Sequence, residues 1–364
     1  MEPRYTDLSL TAQTAYAQLF DAVQARSIAQ AIAELNGSFA RKNVRNSTYW
    51  YFQYRDIDGR VKQIYVGPDS QRIQSLITAK SVPPPTRIGE FSIAAAALGC
   101  STILPKHFRI IRRLGEYGFF RAGGVLIGTH AYLAMGNLLG VKWTDGERTQ
   151  DVDFARFGRN ISIALPWNVK IDIHSAVESL EMGFLPIQSF DGCAGATYLN
   201  PDEPDLRIDF LTPATSTSSA PFAFDQLNVS LQPLKFMEYP LESTTRATLL
   251  SRGDALLVNI PSPIRYGLHK LIVHGERTEA YRTKSAKDLV QSAAIIAYYA
   301  QRERASLDQA MRDLVDRGRG WRSRAKKGAM ALVDVHPDFA GPLSGVLGRP
   351  SPAVRGKANK GGRK

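Results

Sequence analysis

Two aspartates two residues apart in an otherwise apolar run, Asp151 and Asp153 in QDVDFA, constrain this chain more than any other feature. In a strand that spacing puts both carboxylates on one face and sends Val152 and Phe154 to the other, toward a core. Side-by-side anions repel and are costly to desolvate, so a strand that keeps them needs something to neutralise them. A divalent cation does so. Magnesium, or manganese in its place, suits an open Asp-x-Asp edge with room for waters and substrate phosphates.

A third carboxylate is at hand in DLRIDFLTP, where Asp209 lies between Ile208 and Phe210 behind the turn Asn200-Pro201-Asp202-Glu203-Pro204. If the two strands are neighbours, Asp209 joins the pair. Three carboxylates can hold metal ions that clamp the attacking and leaving oxygens of an in-line phosphoryl displacement. Taken alone, each aspartate reads first as a turn residue at a strand end; the three together with Gly128-Thr129 favour a functional cluster. Upstream, FFRAGGVLIGTHAYLAMGNLLG reads as a buried strand (Val125, Leu126, Ile127), a tight Gly128-Thr129 turn and a helix beginning near His130. A helix entered through glycine offers free N–H groups and a positive dipole end to a phosphate, and Thr129 adds a hydroxyl. The same residues also serve as ordinary capping chemistry. His107 and His130 read as structural rather than as ligands.

The order Gly-Thr, then Asp-x-Asp, then an aspartate on a later strand resembles the nucleotidyltransferase superfamily of the polymerase-beta type. The wider text, GVLIGTHAYLAMGNLLG through TQDVDFA to IPSPIRYGLHKLIVHGER and KSAKDL, is similar to a bacterial branch akin to the Abi-type nucleotidyltransferase toxins. The resemblance spans residues 118–300 and is most specific over 123–154. It implies metal-dependent transfer of a nucleoside monophosphate from an NTP to an acceptor hydroxyl. In that reading Asp151 and Asp153 bind the metal, Asp209 is the third carboxylate and helps activate the hydroxyl, and Gly128-Thr129 replaces the family's Gly-Ser pair. Lys270 and Asp288 match a helix lysine and a later aspartate of the toxins. A separation of 23 residues between Gly128 and Asp151 is longer than in the simplest members, and Trp143 to Thr149 are expected to form a loop near the substrate entrance.

Spacing adds to this on one helix. Lys284, Lys287, Asp288 and Gln291 fall at i, i+3, i+4 and i+7 and share a face, which is either a nucleotide-binding face or a solvated one. Lys287 and Asp288 join Gly128, Thr129 and Lys270 as nucleotide-binding candidates.

The fold expected is α+β, with a mixed-sheet nucleotidyltransferase core over 116–263. An N-terminal helical region (1–115) precedes it and a C-terminal helical segment (264–315) follows. Within the N-terminal region YWYFQY and VKQIYV flank Asp58-Gly59, a strong hairpin signal, and a further strand from Ser38 makes a β meander over 38–67. There Arg41, Lys42, Arg45, Arg55, Arg60 and Lys62 interleave with Tyr49, Trp50, Tyr51 and Tyr54. Aromatics on a basic sheet can stack bases. The reading favoured is that every second aromatic packs the sheet onto neighbouring helices. Arg252-Gly253-Asp254 reads as a hairpin turn.

Residues 316–364 hold twelve Lys and Arg against Asp316, Asp334 and Asp338, so most of the net +12 charge sits there. This segment is expected to be a basic, largely disordered tail that attracts polyanions. With the basic meander it makes RNA, tRNA included, the acceptor expected, with protein and small-molecule acceptors left open. The resemblance to the Abi-type toxins implies a toxin or defence effector with an antitoxin protein as partner. The alternative is a catalytically silent nucleotidyltransferase-fold protein that binds nucleic acid or a partner, against which the intact aspartates argue. Cys100 and Cys193 lack zinc-site spacing. No run is apolar enough to span a bilayer and no signal-peptide pattern is present, so a cytoplasmic protein is expected.

Overall fold

The computed structural model describes residues 3–33, 37–55, 60–81, 87–145, 151–156, 171–188, 194–204, 206–214, 220–225, 227–276 and 282–348. The side chains of 31–33, 79, 81, 151–156, 188, 194–195 and 282–284 lie outside that description. So do Asp58-Gly59, most of the Trp143 to Thr149 insert, Cys193 and residues 349–364. The chain divides into two compact units, one of residues 8–105 and 247–257, the other of the remainder.

After β1 (Tyr5–Asp7), which belongs to the larger unit, the smaller unit begins with α1 (Leu10–Ala33). With no glycine or proline in this stretch, one helix forms, and Ala12, Tyr16, Leu19 and Val23 recur along it as a buried stripe. A meander follows: β2 (Ser38–Val44), β3 (Ser47–Arg55) and β4 (Val61–Pro68). Arg45 and Asn46 both take positive φ (47° and 64°), as a two-residue hairpin between Val44 and Ser47 requires. Next come α2 (Gln71–Ser81) and α3 (Ile88–Ala97). The Ser92 hydroxyl on α3 lies 2.6 Å from Ser251 O and 2.9 Å from Asp254 O, and so holds both sides of the Arg252-Gly253 turn. From α1, the Tyr16 hydroxyl accepts from Thr248 N at 3.1 Å.

The larger unit continues with α4 (Pro105–Glu116), β5 (Gly124–Ile127), α5 (Gly128–Leu138), β6 (Val141–Trp143) and β7 (Asp151–Arg156). Then come α6 (Ile173–Glu178), β8 (Leu185–Gln188), β9 (Ala194–Leu199), β10 (Arg207–Pro213), β11 (Phe222–Phe224), β12 (Val229–Leu234) and α7 (Glu238–Leu241). β13 (Thr244–Ser251) and β14 (Asp254–Pro261) pair as a hairpin, and α8 (Pro263–Glu276), α9 (Arg282–Arg302), α10 (Arg304–Asp316), α11 (Arg319–Val335) and α12 (Ser344–Leu347) close the chain.

Among the described residues seven strands form a mixed sheet. β10 runs parallel to β7 on one edge; on its other edge it pairs with β9, antiparallel, and then with β12, parallel. β5 is antiparallel to β7. Helices and a mixed sheet together make the mixture of α and β structure that the sequence implied. α5 is apolar nearly all round and correspondingly buried, from Thr129 to Asn137.

The expectation of a largely disordered tail from residue 316 is corrected. α11 buries Ala325, Gly328, Ala329 and Leu332, and Phe339, Leu343 and Val346 beyond it are buried too. Small and apolar residues at i, i+3, i+4 and i+7 give this basic segment a face that a charge count conceals. The face is needed because α11 crosses α8 closely: a Cβ on Gly328 would come within 2.1 Å of Leu271 O.

Candidate active site

The parallel register of β7 and β10 makes Asp153 and Asp209 Cα partners, with Asp151 opposite Arg207. On the other side of β7, Asp153 pairs with Ile127, the last residue of β5 before Gly128. By the two-residue pleat, positions 151, 153, 207 and 209 fall on one face of the sheet, and the start of α5 lies at the same level. The carboxylates of Asp151 and Asp153 themselves are outside the described side chains.

Asp209 is described in full. Its side chain is 20% exposed, while Ile208 and Phe210 on the opposite face are buried. Phe210 lies edge-on to Phe119 and Tyr198, which fixes which face is core. Thr197 on β9, its Cα partner, donates to Asp209 Oδ1 at 2.6 Å, and Arg207 Nε is 3.6 Å from Oδ2. Among the described residues no three His, Cys, Asp or Glu side chains group closely enough to hold a metal ion, a statement that leaves Asp151 and Asp153 out of account.

Gly128 takes φ +69°, a left-handed conformation that glycine adopts freely, and so turns the strand into the helix at once. The turn is braced from α8 and α9. Tyr266 Oη lies 3.0 Å from Gly128 O and 2.9 Å from Gln291 Oε1, its one proton serving either acceptor. Gln291 Nε2 is 3.4 Å from Thr129 Oγ1. Lys270 Nζ sits 5.1 Å from the Tyr266 ring centroid and 2.8 Å from Asp288 Oδ1. Next to it, burial first and the Lys270 charge second push the His269 pKa down to about 3, so this imidazole is neutral near pH 7.

The candidates therefore fall into two joined groups. The register sets the backbone positions of Asp151, Asp153 and Asp209 on one face of the sheet, and Gly128, Thr129, Lys270 and Asp288 meet through Tyr266 and Gln291. Lys287 is half-buried on α9, and the Lys284 side chain is outside the described residues. The solvated reading of the α9 face does not hold at Asp288 and Gln291, which are 2% and 0% exposed. His107 and His130 bond to each other in the core at 2.9 Å.

Sequence reasoning passed over Thr197 and Tyr266. Tyr266 precedes Lys270 by one helical turn, a spacing that could have drawn attention to it. Thr197 gave only the weak sign of a polar residue between Ala196 and Tyr198.

A family model described as nucleotidyltransferase matches residues 106–316, and the chain belongs to that nucleotidyltransferase family. Among solved structures it is similar to the crystal structure of an antigenic nucleotidyltransferase-like protein from Paracoccidioides brasiliensis. The identity is 15% over 67% of this chain and 95% of that one, and the TM-score of 0.34 is too low to support a structural comparison. No curated protein matches the sequence. Among the described residues no helix is long and apolar enough to cross a membrane.

Proposed function

We propose that this nucleotidyltransferase moves a nucleoside monophosphate from an NTP to an acceptor hydroxyl on RNA. The observation that carries this reading is the register in which Asp153 and Asp209 are Cα partners while Ile127, beside Asp153, leads straight into Gly128-Thr129. An all-oxygen donor set with Asp209 partly open to solvent fits a hard divalent cation. Asp151, Asp153 and Asp209 would hold magnesium or manganese, which when bound neutralises the carboxylates and polarises phosphoryl oxygens.

The chain's own groups do the rest. Backbone N–H groups at the start of α5 receive the β- and γ-phosphates, and Lys270 and Lys287 add positive charge beside them. Thr197 holds Asp209 Oδ1 while Arg207 Nε lies 3.6 Å from Oδ2, and that second oxygen orients the acceptor hydroxyl and takes its proton. The acceptor oxygen then bonds to the α-phosphorus as the α–β anhydride breaks, and pyrophosphate leaves. The basic β2–β4 sheet and the basic C-terminal residues favour RNA as the acceptor.

The similarity of KSAKDL and its neighbours to the Abi-type toxins extends the reading to a toxin or defence effector restrained by an antitoxin protein. Growth arrest on expression that disappears with Asp153→Asn tests that role. The reaction is tested by incubating the protein with each α-labelled NTP, magnesium and total RNA. Label in RNA supports the reading; label in protein or small molecules only moves the acceptor, and no label anywhere removes the activity.

A further inference from the structure

We propose that one face of the β2–β4 sheet, built on Tyr49, Tyr51, Tyr65 and Lys42, is a binding platform for single-stranded RNA. The register pairs Tyr51 with both Ala40 and Tyr65, and Lys42 with Tyr49, so all four residues lie on one face. The Tyr65 ring centroid lies 5.5 Å from that of Tyr51 and 6.2 Å from that of Tyr49. The rings are inclined to one another at 62° and 48°, so none is stacked flat on its neighbour. Lys42 Nζ stands 4.6 Å above the Tyr51 ring.

The opposite face is the one that serves packing. It carries Trp50 and Phe52; Lys80 of α2 lies over Phe52 at 5.8 Å, and Trp50 Nε1 donates to Asp69, just ahead of α2, at 3.0 Å. Among the described residues no hydrogen bond or ring contact from outside the sheet reaches Tyr49, Tyr51 or Tyr65, and Tyr65 is 53% exposed. Tyr65 is exposed and Tyr49 and Tyr51 are half-buried, so all three rings keep part of their surface open to solvent on this face.

Charge selects the occupant. Residues 38–68 contain Arg41, Lys42, Arg45, Arg55, Arg60 and Lys62 against Asp56 and Asp58, so the sheet attracts a polyanion. Exposed aromatic rings among cations suit a chain that alternates phosphates with flat bases, since bases stack on tyrosine while phosphates meet lysine and arginine. A duplex hides its base faces, which leaves a single strand. The platform deepens the RNA-acceptor reading and rests on it for its biological sense, but it is a property of the sheet and needs neither NTP nor metal.

The test measures binding of fluorescent oligouridine and oligoadenosine to the full-length protein without NTP. Pairing Tyr51→Ala with Tyr65→Ala should weaken Kd about tenfold or more with the melting temperature unchanged. Tyr51→Phe with Tyr65→Phe should keep Kd within about twofold, because stacking needs the ring and not the hydroxyl. Lys42→Ala should flatten the log–log salt slope by about 0.7, the share of one phosphate that the protein no longer neutralises. Duplex RNA of equal length should bind more weakly than the single strand. Unchanged affinity in the alanine pair, or equal affinity for duplex, overturns the proposal.

If the alanine pair melts early, 4-thiouridine oligonucleotides crosslinked to wild-type protein decide instead. Crosslinks within residues 47–72 support the platform, and crosslinks confined to other segments overturn it. The two readings fail apart. Labelled RNA in the transfer assay alongside unchanged oligonucleotide binding in the alanine pair removes the platform and keeps the RNA acceptor; tyrosine-dependent binding with label only in protein does the reverse.

Discussion

Lys270 and Asp288 close a 2.8 Å ion pair between α8 and α9, with side chains only 15% and 3% exposed. A pair this deep is held by its own partners more than by water, and removing one side of such a pair costs about 3–5 kcal/mol. Lys270 keeps some exposure to solvent, so Lys270→Met is expected near the lower end of that range in urea unfolding. The double variant with Asp288→Asn should be less destabilised than the sum of the singles. Equal and additive losses would mean that the two do not interact. Because Lys270 is also proposed to reach the triphosphate, Lys270→Met should raise the KM for NTP as well.

Thr197 bears on chemistry through Asp209. Thr197→Val keeps the strand shape and deletes the 2.6 Å hydrogen bond, so stability should fall by about 1 kcal/mol while kcat falls further than the KM for NTP rises. Thr197→Ser should restore turnover. A Ser variant as slow as the Val variant would separate Thr197 from the positioning of Asp209.

His269 gives the acid limb of stability its sign. Its pKa of about 3 in the folded protein lies below the ordinary 6.5, so between those values the unfolded chain binds a proton that the folded one refuses. Stability should therefore fall as pH drops from about 6.5 toward 3, by up to about 1.4 kcal/mol per pH unit from this group. His269→Gln should make the urea midpoint less steeply dependent on pH over that interval. An unchanged slope would show that this imidazole can be protonated in the folded state.

Much of the site was legible because strand chemistry is periodic. Asp151, Asp153 and Asp209 interrupt apolar alternation at costly positions, and Gly128 marks the one residue that can turn β5 into α5 with positive φ. Strand adjacency was not legible, since β7 and β10 are separated by residues 157–206 and nothing local dictates that they pair. The bracing of Gly128 by Tyr266 and Gln291 was hidden for the same reason: three separate elements supply it. At the C-terminus the charge of α11 drew the reading toward disorder, while the spacing of Ala325, Ala329 and Leu332 already spelled a buried face.

That helix changes what truncation should do. Cutting after Gly348 removes six cations, Arg349, Arg355, Lys357, Lys360, Arg363 and Lys364, and should leave the melting temperature unchanged. RNA binding should then become less salt-dependent, by about 0.7 of a log–log unit for each phosphate that these cations neutralise. Cutting after Leu314 also strips α11 from α8, uncovering the close backbone crossings at Leu271 and Gly275, and should lower the melting temperature markedly. A chain cut at 314 that melts like the full-length protein would mean that α11 adds nothing to the larger unit.

Nucleotidyl transfer at the aspartates of β7 and β10 stands or falls with Asp153→Asn in the assay with α-labelled NTP. Asn keeps the size of the side chain and removes the negative charge that the proposed cation needs, and it relieves repulsion between neighbouring carboxylates. The wild-type protein should label RNA in a magnesium-dependent reaction. The variant should label nothing above background and melt at the same temperature or higher. Transfer by Asp153→Asn at the wild-type rate would rule out these aspartates as the seat of the reaction.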